Sequence, residues 1–216
     1  MWRYMALAVL FLSGVFAITS CKSTYYSAYE KLGVYKRDLL KKRVTAARDA
    51  QQDAQKEFKD ALTRLKEMTG FEGGELEKRS RQLQSEYDSA AARVQTVHRR
   101  VEGVESVAGD LFVEWEKEIQ EISTPALRNT SREQLAETRR RYGEMLAALK
   151  KAEGTMDPVL QKFHDYVLAL KHSLNAQAIA ALKGEAVNIQ SEISRLLEDM
   201  NTSIARADEF VKGFPK

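Results

Sequence analysis

The sequence predicts an all-α protein: an elongated antiparallel helical bundle, or coiled coil, of three to four long helices after an N-terminal signal segment. Three observations predict it. Charged residues make up 30% of the 216-residue chain, there are only 3 Pro, and Ala, Glu, Lys, Leu, Arg and Gln dominate, a mixture of helix formers with few turn formers. Apolar and small residues recur at alternating spacings of four and three, which is the period of a helix seam. Gly- and Pro-containing breaks cut these runs into long segments.

The N-terminus carries the chain's only cysteine. Met1–Ala6 is short and holds one basic residue, Arg3; Leu7–Ile18 is almost wholly apolar; Thr19, Ser20 and Cys21 follow, and the polar chain begins at Lys22. An apolar run of about a dozen residues is too short to span a bilayer as a helix, which takes roughly 20, but it suits the core of a signal peptide. Ile18-Thr19-Ser20-Cys21 resembles the bacterial lipobox: a branched aliphatic residue, two small residues, then Cys. In such signals the thiol is diacylated, the bond before it is cut and the new amine is acylated. The expected division is a lipoprotein signal peptide over 1–20 and a single helical-bundle domain over 21–216. Several acyl chains at about 0.8 kcal/mol per buried methylene anchor a protein stably. With Lys22 after the Cys, analogy with enterobacterial sorting favours the outer membrane over the inner. With one Cys there is no internal disulfide, and an acylated Cys21 is not a nucleophile.

The first seam reads Leu40, Val44, Ala47, Gln51, Ala54, Phe58, Ala61, Leu65, Met68, and Gly70-Phe71-Glu72-Gly73-Gly74 ends it. The second reads Leu83, Tyr87, Ala90, Val94, Val97, Val101, Val104, Ala108, Leu111, Trp115, Ile119, Ile122. A short Gly-rich turn between long helices predicts an antiparallel hairpin. Ser123-Thr124-Pro125 through Thr130 reads as the second break, with Thr130 or Ser131 capping the next helix. The third seam is Leu135, Thr138, Tyr142, Met145, Leu149, Ala152, Met156, Val159, Phe163, Val167, Leu170, Leu174. Gly154-Thr155-Met156-Asp157-Pro158 interrupts it as a turn or as a kink. The heptad phase continues through it, so the preferred reading is a kinked helix over 131–183, ended by Lys183-Gly184. A final helix, Glu185 to Val211, then carries Ile189, Ile193, Leu196, Met200, Ile204 and Val211.

Three segments resemble a family of bacterial helical lipoproteins designated domain of unknown function two-nine-five-nine. They are "YKRDLLKKRVTAARDAQQDAQKEF" from Tyr35, "VEWEKEI" from Val113 and, most specifically, "VLQKFHDYVLALKHSLNAQAIAALKGE" from Val159. The resemblance covers nearly all of the chain after Cys21. It implies a helical envelope protein and carries no activity with it.

Three well-defined catalytic signatures bear on this chain. It has no Gly-x-x-x-x-Gly-Lys-Ser/Thr loop, no His-Glu-x-x-His and no Gly-x-Ser-x-Gly, so these phosphate, zinc and serine-hydrolase chemistries have no carrier. The expectation is a protein that is not an enzyme and uses no cofactor. His98, His164 and His172 are the only histidines; a metal centre wants three or four ligands, and they read as surface or packing residues, with no metal. Net charge is only +3 and the two signs interleave, which argues against a nucleic-acid partner. Lys31, Lys36, Arg37, Lys41, Lys42 and Arg43 form a basic cluster after the anchor, either a contact for anionic headgroups or another polyanion, or a solvated face. Tyr25, Tyr26, Tyr29 and Tyr35 suit a membrane interface or the closed end of the bundle. His172, Asn175 and Gln177 are the candidate polar core or interaction residues, since a polar group on a seam can set register and association state. The sum is a lipid-anchored, periplasm-facing helical scaffold or protein-interaction module. Its partners are the membrane and a protein or a second copy; the alternative is a ligand- or metal-binding lipoprotein. Cys21→Ser is expected to release the protein from membranes. Fractionation of cells expressing each form checks this, and a variant that stays with the membrane fraction would sink the lipoprotein reading.

Overall fold

A helix with one apolar stripe is stable only where that stripe is covered, so the stripes decide where the helices lie. The structure, a computed structural model, describes residues 36–69, 76–172 and 176–213, with backbone alone at 69 and 176–181. These residues form four α-helices and no strand: α1, Lys36–Thr69; α2, Leu76–Glu121; α3, Pro125–His172; and α4, Ala176–Lys212. None of them is long and apolar enough to cross a membrane. The chain divides into two units, Met1–Leu39 and Leu40–Lys216, and the packing below is that of the second.

On α1 every residue of the predicted seam, Leu40 through Met68, is buried. Alanines recur on it each seven residues, at Ala47, Ala54 and Ala61, and the seam of α2 is built mostly from Val and Ala. Small residues at a helix contact let the axes approach toward the low end of the usual 8–10 Å. Larger groups fill the remaining layers: Phe58, Leu65 and Met68 from α1, and Met145, Leu149, Met156, Phe163 and Leu170 from α3, all essentially inaccessible. Tyr142 lies between Phe112 of α2 and Phe210 of α4, with ring centroids 5.3 and 6.1 Å away in edge-on geometry. Burial, reinforced by Glu105, pushes its hydroxyl up to about 12.

Polar contacts read out the topology. Arg93 of α2 reaches Asp53 and Glu57 of α1, at 3.5 Å each. Trp115 of α2 donates to Ser131 of α3 at 3.0 Å, and Lys150 of α3 meets Glu105 of α2 at 2.7 Å. Lys151 of α3 meets Asp199 of α4 at 2.7 Å. Arg48 of α1 donates to Asp208 of α4 at 2.6 Å, and Gln55 to Asn201 at 2.7 Å. Arg64 of α1 also meets Glu86 of α2, and Lys162 of α3 meets Glu192 of α4, so within each neighbouring pair one number rises as the other falls and the helices are antiparallel. The ring runs α1–α2–α3–α4 and closes on α1. Exposed pairs of this kind contribute about 0–1 kcal/mol each; their larger effect is on register.

Three expectations are corrected. The break after α2 does not extend to Thr130: α3 begins at Pro125, with the Thr124 carbonyl accepting from the Arg128 amide at 3.0 Å. Proline at the first helical position gives up only an N–H that the first turn leaves unpaired anyway. The Arg128 side chain meanwhile donates to the Ile122 carbonyl at 2.8 Å, just past the end of α2. The second correction is the end of α3. The helix does run through Pro158, but it stops at His172, and Lys183 and Gly184 lie inside α4. One exposed glycine costs a helix about 1 kcal/mol, which the burial of Ala186 and Ile189 in the next turns offsets. The third is the seam of α4. After Met200 it continues through Ser203, Ala207 and Phe210, all buried, while Ile204 and Val211 are only half-buried.

Phe163 is fully buried and Val113 is 53% exposed. Phe163→Ala is expected to cost about 3–5 kcal/mol and Val113→Ala no more than about 0.5 kcal/mol. Urea denaturation followed by circular dichroism checks both.

Candidate functional site

Several predicted residues fall outside the described part of the chain: Cys21, Lys31, Asn175 and the four clustered tyrosines. Gln177 lies in the first turn of α4, with its backbone alone described. His172 is the last residue of α3 and is exposed. Lys36 and Arg37 open α1; Lys41 and Lys42 are exposed in the turn that follows, and Arg43 is half-buried.

Three polar residues are buried among the described residues, Gln51, Ser80 and Ser203, and Gln51 is the largest of them. It is fully buried on the seam of α1, and its Nε2 donates to the Leu149 carbonyl of α3 at 3.5 Å, across the bundle. Ser203 of α4 is also fully buried. Gln51 Oε1 and Ser203 Oγ have no hydrogen-bond partner. The pairs Arg48–Asp208 and Gln55–Asn201 bracket both residues, which places them in the same stretch of the α1–α4 seam.

The most organised group on the surface was not picked out from sequence. His98 of α2 points both ring nitrogens at carboxylates of α3. Nδ1 lies 2.8 Å from Glu153 Oε1, and Nε2 lies 3.1 Å from Asp157 Oδ2. Glu153 is only 12% exposed and also meets Lys150 at 3.3 Å, which in turn reaches Glu105. Burial is the largest influence on His98 and by itself lowers its basicity. Hydrogen bonds to Glu153 and Asp157, with their charges, outweigh it and raise the pKa above the usual histidine value. Glu153 and Asp157 are four apart and visible in the sequence as a same-face pair. Their partner required the α2–α3 register, which sequence spacing does not supply.

A second carboxylate group could hold a cation. Glu57 and Asp60 of α1 and Glu86 of α2 each offer an oxygen, all within 4.8 Å of one another. Glu86 is held above the usual carboxylate range, first by burial and then by Asp60, against the pull of Arg64. Arg64 stands 3.7 Å from Glu86 and Arg93 3.5 Å from Glu57, so two guanidinium groups already neutralise part of the cluster.

The triple Arg139-Arg140-Arg141 is divided among three tasks. Arg139 pairs with Glu116 of α2 and lies 5.2 Å over the Phe112 ring. Arg140 binds Glu137 and Glu144 of its own helix. Arg141 donates to the carbonyls of Glu209 at 3.2 Å and Gly213 at 2.8 Å, so a side chain from α3 caps the end of α4. A Cβ at Gly213 would meet that guanidinium, the far end of a flexible side chain, which would have to move aside and loosen the cap.

Over residues 25–214 the chain matches the family described as "Protein of unknown function (DUF2959)", and it belongs to that family. No curated protein and no solved structure matches it.

The His98 geometry carries a pH dependence with a definite sign. Because the folded-state pKa is raised, the charged imidazole stabilises the fold fully below its unfolded value of about 6.5. That contribution is lost as pH rises through the folded value. His98→Gln is expected to lose about 1 kcal/mol at pH 5.5 and much less at pH 9, as measured by urea denaturation at the two pH values.

Proposed function

Taking the chain as a member of the DUF2959 family, we propose that it is a non-enzymatic helical scaffold or protein-interaction module of the bacterial cell envelope. In this reading a lipid on Cys21 anchors it and the bundle faces the periplasm, at the outer membrane rather than the inner. The observation that carries the scaffold reading is the use made of the polar side chains. Arg48, Gln55, Arg93, Lys150, Lys151 and Lys162 each reach a polar side chain on a neighbouring helix. These groups thus set the register between neighbouring helices rather than gather into a reactive centre. Lys41 and Lys42, exposed near the start of α1, support contact with anionic headgroups at about 1 kcal/mol per charge.

A second reading, a cation-binding lipoprotein, is favoured by Glu57, Asp60 and Glu86. A cation there would relieve the repulsion that Asp60 and Glu57 exert on Glu86, although it must displace Arg64 and Arg93 to do so. Crosslinking in cells followed by mass spectrometry separates the two. The scaffold is expected to give a recurrent set of envelope proteins crosslinked to exposed positions of the helices, and recovery of random abundant proteins alone would count against it. A saturable thermal shift with calcium, magnesium or zinc chloride, lost in Glu86→Gln, would move the assignment to the second reading.

A further inference from the structure

Helix α3 has a weak turn, and the His98 cluster sits on it. Pro158 is interior to the helix and has no N–H, so the carbonyl of Gly154 lacks the donor that an ordinary residue four positions on would give it. Glycine at 154 adds backbone freedom. The intervening Thr155 turns its hydroxyl back onto the carbonyls of Ala152 at 3.0 Å and Lys151 at 3.3 Å, a habit that bends helices. Three features that loosen a helix therefore fall within five residues. The two carboxylates held by His98, Glu153 and Asp157, flank that gap and are themselves one turn apart.

We propose that His98 is a proton-operated lock on a hinge in α3 at Gly154–Pro158. Charged, the imidazolium donates from both nitrogens and ties Glu153 and Asp157 together across the missing backbone bond, clamping the turn onto α2. Neutral, the ring keeps one N–H and turns a lone pair toward the other carboxylate, so one strut becomes a repulsion and the turn is free to open. The other charges around the ring do not replace it. On α3, Lys150 binds Glu153 but spans to Glu105, and Lys151 is directed to Asp199 of α4. On α1, the charged groups level with His98 are Arg48 and Asp49; Arg48 pairs with Asp49 and with Asp208 of α4. The raised basicity of His98 places the switch above pH 6.5 rather than below it.

Amide hydrogen exchange on the full chain, corrected for the intrinsic pH dependence of exchange, tests the lock. At pH 5.5 the wild-type amides of 155–157 and 159–162 are expected to be protected about tenfold more than at pH 9, with 135–149 unchanged. His98→Gln should leave these amides weakly protected at both pH values, His98→Arg strongly protected at both, and Pro158→Ala protected at both because the missing backbone bond is restored. A pH effect spread evenly along α3, one that survives in His98→Gln, or protection that grows as pH rises overturns the proposal.

Discussion

The four helices exist because none can keep its apolar stripe in water. A single helix of this composition, charged on most of its circumference, gains little from propensity alone, and its stability comes from packing. The packing is set by where the stripe is narrow. Ala47, Ala54 and Ala61 on α1 face a bundle whose second helix contributes Val94, Val97, Val101 and Val104. Such short side chains leave little room for error, because a shift of one residue swings each stripe by about 100° and replaces an alanine with a charged neighbour. Phe58 and Phe163, fully buried, fill the layers where the small residues leave width.

Two polar residues sit inside this closely packed interior. Gln51 and Ser203 each bury an oxygen with no partner, and an unsatisfied buried group costs about 1–3 kcal/mol. An apolar residue at either place would remove that cost. Gln51 also reaches the Leu149 carbonyl from the opposite corner of the bundle, a contact available only when α1 and α3 are diagonal and in this register. A polar group on a seam trades stability for a defined arrangement in the best-studied coiled coils, and Gln51 has the position to do the same.

Much of this was legible in the residues themselves. The three-four spacing located the seam of α1 residue for residue, Gln51 included, because a heptad phase is a property of one helix. On α4 hydrophobicity favours Ile204 and Val211 as seam residues, but the three-four phase buries Ser203, Ala207 and Phe210 instead. Pro125 and Gly184 misled for a related reason: both oppose helix on average, but one stands at a first turn that needs no donor and the other on a solvent-facing side. The His98 cluster was illegible because its parts are 55 and 59 residues apart. Only the register between α2 and α3 brings them together, and that register emerges from the packing of Tyr87 on Phe163 and Trp115 on Ser131.

The cross-helix pairs also constrain how a chain like this can change length over generations. An insertion of one or two residues in the middle of α2 would turn its far half away from both neighbours and break every rung beyond it. An insertion of seven keeps the face but slides the rungs by about 10 Å, so Lys150 and Glu105, or Arg93 and Glu57, no longer meet. Length can be gained without loss only if all four helices gain a heptad at the same level. Relatives are therefore expected to share helix lengths more strictly than surface residues, with their insertions gathered at the connections between helices.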